Sequence, residues 1–373
     1  MEDTGENYRE LQPGDRAPQF RARTRSNPAF RFDSIAGRWI VLAFPGSLAA
    51  DAVRHQIDTA RSATGIFDDK TASLFVVSTD PADESENRIT DRIPGCRVFY
   101  DHDGRVARLY GALPKDGGGA DSLRRMWFVV DPSLTLRRVV PMSEDGTCLD
   151  GVLVFLRTAP PPAHFLGFEL PPPVLVLPYV FEPDFCDHLI TQYKAHGGEA
   201  SGFMRDEKGK TVAVLDPGFK VRRDYVISDP ALISATQARI LRKVVPQISR
   251  VHYFQCTRME RYIVGCYPAD EGGHFRPHRD NTTIGTAHRR FAVSINLNDD
   301  FEGGEVSFPE YSQRGIKAPK GAAVIFSCSL LHAVAKVTSG TRYAFLPFLY
   351  DDAAAKLRER NAARVPNSAG YRA

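Results

Sequence analysis

Three side chains in this sequence can converge on one metal ion. His278 and Asp280 stand one residue apart in GHFRPHRD, and His332 follows 52 residues after Asp280, at the end of AAVIFSCSLLHAV. If the first segment is extended, the period-two pleat points His278 and Asp280 to one face, and a neighbouring strand supplies the third donor. Two imidazoles and one carboxylate leave three positions of an octahedron open, the donor set suited to a non-heme Fe(II) centre. A His-x-Asp pair alone is weak, because a surface histidine beside a carboxylate is common. Arg342 changes the weight. It lies ten residues beyond His332 in GTRYAF, where a strand aims Arg342, Ala344 and Leu346 to one face. An arginine pointed into a barrel needs a carboxylate, which a dicarboxylate cosubstrate would supply.

The elements that must position these residues are legible in outline. DFCDHLITQYKAH (184–196) and ALISATQARILRKVVPQI (231–248) place apolar residues three and four apart and predict helices. Beyond residue 250 the period changes to two. FAVSINLN (291–298) alternates Phe291, Val293, Ile295 and Leu297 with Ala292, Ser294, Asn296 and Asn298, the pattern of a half-buried strand. Further strands are expected at 306–308, 322–327 and 342–350, so helices lead into a β-sandwich or barrel. Ahead of this half lies TAPPPAHFLGFELPPP (158–173), whose proline triplets suit an extended connector. In the first half, short apolar runs at 38–44, 73–79, 96–101, 107–113, 125–132 and 136–142 are joined by an amphipathic helix over 51–67. That alternation predicts an α/β domain, closed by a hairpin that turns at Asp131-Pro132-Ser133.

The second half resembles the Fe(II)- and 2-oxoglutarate-dependent dioxygenases, in their prolyl 4-hydroxylase-like branch. The motifs that carry the likeness run in order from VLVLPYVFEPDFCDHL through KVRRDY, RYIVGCYPADEGGHFRPHRDN and NLNDDFEGGEVSF to APKGAAVIFSCSLLHAV and VTSGTRYAF. The resemblance implies a double-stranded β-helix (jelly-roll) core with flanking helices. It implies that His278, Asp280 and His332 hold Fe(II), that Arg342 pairs with the distal carboxylate of 2-oxoglutarate, and that Tyr267 hydrogen-bonds the same carboxylate. The cofactors would be Fe(II), 2-oxoglutarate and O2, with ascorbate as a candidate reductant. The implied reaction decarboxylates 2-oxoglutarate to succinate and CO2 and hydroxylates a C–H bond. Related halogenases replace the carboxylate ligand with a small residue, so Asp280 favours hydroxylation. Gly303 and Gly304 in FEGGE would serve backbone geometry.

Residues 10 to about 157 are similar to the peroxiredoxin group of the thioredoxin fold, through LQPGDRAPQF, RWIVLAFPGS, SLFVVSTDP, FYDHDGRVARLYGAL and RMWFVVDPS. That family places its reactive cysteine after the first core strand, at a helix N-terminus that lowers the thiol pKa. Here the segment reads Phe44-Pro45-Gly46-Ser47-Leu48-Ala49-Ala50-Asp51-Ala52, and the first cysteine of the chain is Cys96. The expectation is a degenerate redoxin-like module serving as a structural partner, a dimerisation surface or a docking platform. The expected division is a thioredoxin-like α/β domain over 1–157, a linker over 158–173, a mainly-β oxygenase domain over 174–352 and a tail over 353–373.

Composition restrains the alternatives. The chain has 373 residues, 43% hydrophobic and 25% charged, with a net charge of +3, and its arginine pairs are scattered among acids. Neither nucleic acid nor membrane is expected as a partner. The polar, acidic MEDTGENYRELQPGDR does not read as a signal peptide. The six cysteines never form Cys-x-x-Cys, which suits reduced thiols and the cytoplasm. His274 reads as a pocket wall, Cys266 and Cys328 as core, and Arg276, Arg279 and Arg290 as solvated or structurally paired. The expected function is hydroxylation of an amino-acid-like or natural-product substrate, with a homodimer as a candidate assembly. The alternatives are a prolyl hydroxylase acting on a protein or peptide, and a non-catalytic two-domain scaffold.

Overall fold

The apolar runs of the two halves close two separate cores. A computed structural model of the protein describes residues 7–365, apart from 64, 118, 120 and 121. The chain divides into two units, one reaching to Pro171 and including Pro309–Gln313, the other starting at Pro172 and holding the rest. No helix among the described residues is long and apolar enough to cross a membrane.

The first unit is a five-stranded mixed sheet with helices. Its strands are β1 (Trp39–Gly46), β2 (Ala72–Ser78), β3 (Cys96–Tyr100), β4 (Met126–Val130) and β5 (Leu136–Pro141), in the order β3-β2-β1-β4-β5. β1 to β3 are parallel, and β4 and β5 add antiparallel. Every residue of β1 and β2 is buried, which is why both read as unbroken apolar runs. The helices are α1 (Asp51–Ser62), α2 (Pro81–Ser85), α3 (Arg105–Leu109) and α4 (Thr147–Thr158). α1 stops five residues short of the expected end, just ahead of Gly65 in the left-handed region. The run 107–113, expected as a strand, begins inside α3: the Asp101 carboxylate accepts from Val106 N and Ala107 N and fixes a helical turn. The hairpin turn forms as expected, with Asp131 Oδ1 accepting from Ser133 N and Thr135 N. The proline-rich segment is not wholly extended. Pro162–His164 makes a 3-10 turn, Phe165 is buried in the first core and Leu170 packs against it, because those two apolar side chains have a core within reach.

The second unit carries α5 (Pro183–His196), α6 (Pro230–Lys243) and α7 (Val245–His252). α6 and α7 replace the single helix expected over 231–248, since Pro246 lacks the N–H and crowds the preceding turn. Its strands are β6 (Leu175–Leu177), β7 (Phe203–Glu207), β8 (Lys210–Val214), β9 (Lys220–Val221), β10 (Arg223–Val226), β11 (Arg258–Glu260), β12 (Ile263–Pro268), β13 (His274–His278), β14 (Phe291–Asn296), β15 (Phe301–Gly303), β16 (Val306–Phe308), β17 (Ala323–Ser327), β18 (His332–Val334), β19 (Val337–Phe345) and β20 (Phe348–Tyr350). The larger sheet runs β11-β20-β14-β19-β12-β10, with β17 paired to β14 and β6 paired to β17. The smaller sheet sets β9, β13, β18 and β16 side by side. This is the expected jelly-roll architecture. The β7–β8 hairpin was not anticipated, and the run 342–350 is two strands parted at Leu346-Pro347.

The last α-helix, α8 (Asp352–Asn361), occupies residues expected as a tail; Ala362–Arg364 add a 3-10 turn, and 366–373 lie outside the described residues. Its Arg358 is buried and donates to the Tyr350 hydroxyl, with Nη2 3.3 Å from Glu260. Arg289 donates to the same carboxylate at 2.7 Å and His288 lies 3.1 Å from it. Against the burial that would raise it, the Arg289 and Arg358 charges and the bond to His288 hold Glu260 far below the usual carboxylate range.

Two outcomes follow for stability. Gly303 has a φ of +74°, and a Cβ there would collide with the Lys336 carbonyl oxygen. Gly303→Ala is expected to cost about 1–3 kcal/mol, seen as a lower thermal midpoint. Because the Glu260 pKa is depressed on folding, its contribution is complete above about pH 4.5 and is lost as pH falls further. Glu260→Gln should remove about 3 kcal/mol near neutrality and flatten the loss of unfolding free energy between about pH 5 and pH 3 in urea titrations.

Candidate active site

His278 ends β13 and His332 begins β18, and the two strands pair antiparallel with these residues opposite each other. A register shift between Phe275 and His278 marks the place where the strand turns its last residue into the cavity. Asp280 does not lie on the strand, as the extended reading supposed. It sits in the turn that follows, its N–H donated to the Cys328 carbonyl at 2.9 Å, and the turn returns the carboxylate to the histidines. Asp280 Oδ1 is 3.6 Å from His278 Nε2, and Oδ2 is 3.3 Å from His332 Nε2. One ligand atom from each residue falls within 4.8 Å of the others.

The tautomers are set by the backbone. His278 Nδ1 lies 2.8 Å from the Arg276 carbonyl and His332 Nδ1 lies 3.1 Å from the Leu330 carbonyl. A carbonyl only accepts, so each Nδ1 carries a proton and each Nε2 is the nitrogen that faces Asp280. Burial, and then the neighbouring His332, push the His278 pKa well down and keep its imidazole neutral. Two lone pairs and a carboxylate on one point fit a divalent cation.

The same cavity, between the two sheets, is lined by Arg222, Tyr267 and Arg342 beside the triad. Arg342, on β19, is 1% exposed. It donates from Nε to Asn296 Oδ1 at 3.0 Å and from Nη2 to Ser294 Oγ at 2.8 Å, while its buried Nη1 meets no acceptor. That orphaned N–H, 5.2 Å from guanidinium carbon to the Tyr267 ring centre, is where an anionic oxygen belongs. Tyr267 opposes Arg342 in the β12–β19 register. Its hydroxyl accepts from Arg222 Nη1 at 3.3 Å, leaving the phenolic proton to donate.

Sequence reasoning missed the residues behind Tyr267. Arg222 forms a fork with Asp224, at 2.6 Å and 2.7 Å. Lys220 is buried, donates to Ser201 Oγ and the Gly202 carbonyl, and lies 4.9 Å from the centre of the Phe275 ring, which stacks on His278. The string KVRRDY puts Lys220 and Arg222 on one face and signals only alternating charge. Ser294 and Asn296 had a signal: they are the polar set of an alternating strand. Both faces of β14 are covered, so the polar face meets Arg342 and not water.

The lesser candidates fall outside the centre. His274 turns to the Gly272 carbonyl, Arg276 is exposed, Arg279 donates to the Ser329 carbonyl and Arg290 to the Ala287 carbonyl. Cys266 and Cys328 are buried thiols whose pKa values burial raises. In the first unit, Ala52 lies exposed in the first turn of α1, and Cys96 is buried with its pKa pushed up to about 11 by desolvation, so it is not a thiolate.

Comparison with known proteins agrees with both halves. Residues 261–350 match the 2OG-Fe(II) oxygenase superfamily and residues 13–139 match the AhpC/TSA family. A PKHD-type hydroxylase of Prochlorococcus marinus is 27% identical over 137 residues, covering 36% of this chain and 61% of that protein. A PKHD-type hydroxylase of Paracoccus denitrificans is 38% identical over 84 residues, covering 20% and 37%. The chain thus spans about three fifths or less of these relatives' length. Among solved structures, a Pseudomonas putida prolyl-4-hydroxylase aligns with a TM-score of 0.37 at 14% identity, covering 48% of this chain and 92% of that one. Mycobacterium tuberculosis AhpC aligns with a TM-score of 0.32 at 19% identity, covering 39% and 92%. The two family matches thus fall on separate units, the AhpC/TSA match in the first and the 2OG-Fe(II) oxygenase match, but for Pro309–Gln313, in the second.

Proposed function

We propose that the protein is an Fe(II)- and 2-oxoglutarate-dependent hydroxylase acting on an amino-acid-like or natural-product substrate. The observation that carries this reading is the pairing, in one cavity, of a ligand cluster with backbone-fixed tautomers and a buried arginine that has an N–H to spare. His278, Asp280 and His332 would hold the iron. Arg342 would bind the distal carboxylate of 2-oxoglutarate through Nη1, steadied by Asn296 and Ser294, and Tyr267 would add its phenolic proton. Bound Fe(II) and 2-oxoglutarate supply the means to activate O2 and oxidise a C–H bond. The protein's own share is geometric: the imidazoles are held and aimed by their Nδ1 bonds, and Phe275 and Phe326, packed on the two histidines, exclude water around them.

The described cysteines are all free thiols, which supports a reducing compartment, and we place the protein in the cytoplasm. The redoxin-like domain is read as a module without thiol chemistry.

Anaerobic titration with Fe(II) and 2-oxoglutarate tests the site. One iron per chain and a weak visible charge-transfer band are expected in the wild type. His278→Ala or Asp280→Ala should weaken metal binding by about 100-fold. Arg342→Ala should keep the metal while raising the 2-oxoglutarate requirement at least tenfold. Absence of stoichiometric iron would favour a non-catalytic scaffold. For the first domain, peroxide consumption is expected to be negligible and unchanged in Cys96→Ser and Cys148→Ser proteins; its loss in either would restore the thiol reading.

A further inference from the structure

The cavity has more positive charge than the proposed cofactors can answer. Three guanidiniums line it, from Arg222, Arg261 and Arg342, and Asp280 is the only lining carboxylate among the described residues. Asp224, behind the wall, adds a second negative charge. Fe(II) and the 2-oxoglutarate dianion cancel each other, so a net positive charge remains. Lys220, held by a hydroxyl and a carbonyl, brings no counter-charge, so the balance of the cavity stays positive. Cations in a partly desolvated cavity are costly unless an anion joins them.

The unanswered cation is Arg261. It occupies the two-residue link between β11 and β12 with a φ of +65°, a left-handed conformation that non-glycine residues hold at a cost. Its only hydrogen bond among the described residues runs from Nη2 to Asp224 Oδ2 at 3.2 Å. That oxygen already accepts from Ser201 Oγ at 2.5 Å and Arg222 Nη2 at 2.7 Å, and Oδ1 accepts from Arg222 Nε at 2.6 Å. Asp224 therefore belongs to Arg222, and Arg261 receives a remainder. Its Nε and Nη1 are open, its side chain is 30% exposed, and the guanidinium carbon stands 5.6 Å from the centre of the Phe348 ring, also in the cavity lining. Burial and the Arg222 charge draw its pKa down to about 10, as expected of a cation short of a counter-charge.

We propose that the substrate carries a carboxylate and that Arg261 binds it, in the cavity that holds the triad. The inference rests on the oxygenase reading and deepens it by naming the substrate class. A net positive charge calls for an anion, and a guanidinium with two free donors suits a carboxylate. A free acid would then be recognised where a neutral peptide chain would leave Arg261 unpaired.

Saturation-transfer NMR on the full chain loaded with Zn(II) and excess 2-oxoglutarate tests this without turnover. The probes are N-acetylglycine and N-acetylglycinamide, which differ only in the carboxylate. Expected are transfer to the acid and none to the amide, affinity for the acid at least tenfold weaker in Arg261→Gln, and its recovery in Arg261→Lys. Equal binding of acid and amide, or acid binding unchanged in Arg261→Gln, overturns the proposal. So does no acid binding while 2-oxoglutarate still binds, an outcome that leaves the oxygenase reading intact. Failure of 2-oxoglutarate itself to bind would remove both.

Discussion

The second unit is organised around a buried arginine. A guanidinium that is 1% exposed requires acceptors, and Arg342 finds two neutral ones, Ser294 and Asn296, on β14. Those acceptors reach it only because β19 lies beside β14 in one sheet, and the same β19 sets Arg342 opposite Tyr267 on β12. The sheet order is therefore the device that brings a cation, a phenol and two polar side chains to one wall. Neutral partners hold the guanidinium without satisfying it, and the orphaned Nη1 is the consequence. A carboxylate in place of Ser294 or Asn296 would have closed the site electrostatically.

The opposite wall follows a different logic. His278 and His332 come from the smaller sheet, where pairing alone would set them side by side but leave ring rotation free. Carbonyls two residues earlier in each segment, at Arg276 and Leu330, remove that freedom and settle which nitrogen is basic. Asp280 is placed by a turn whose N–H is tied to Cys328, so its position depends on the loop between β17 and β18 as much as on its own strand. The buried thiol of Cys328 thus matters for its backbone carbonyl and its small volume rather than for reactivity.

How far the sequence could be read follows from this division. His278 and Asp280 were visible through their short spacing, and His332 and Arg342 because charged or metal-binding side chains are rare within apolar, strand-like runs. The alternation in 291–298 was visible too, but its polar face was assigned by pattern alone, and pattern does not say that a second sheet covers it. Arg222, Asp224 and Arg261 were opaque, since they meet through β10 and β12 pairing across a gap of some forty residues, and nothing local marks an arginine that shares its acid with another. Misread elements failed for local reasons: one carboxylate, Asp101, turned an apolar run into a helix, and one proline, Pro246, split another.

The first unit holds its framework with no cysteine at the start of α1. Its core depends on β1 and β2 being buried on both faces, a requirement indifferent to what stands at position 52. The loop before α1 is likewise held by groups that are not nucleophiles. Buried Asp83 accepts from Leu48 N at 3.1 Å and Ser78 Oγ at 2.6 Å, and Ser47 donates to Asp80 at 2.6 Å. These bonds keep the strand-to-helix passage in place while Ala52 occupies the helix start, and Cys96, within β3, is desolvated and cannot substitute. In the second unit, by contrast, the buried Arg342 belongs at once to the packing and to the cavity lining, so its removal would disturb both.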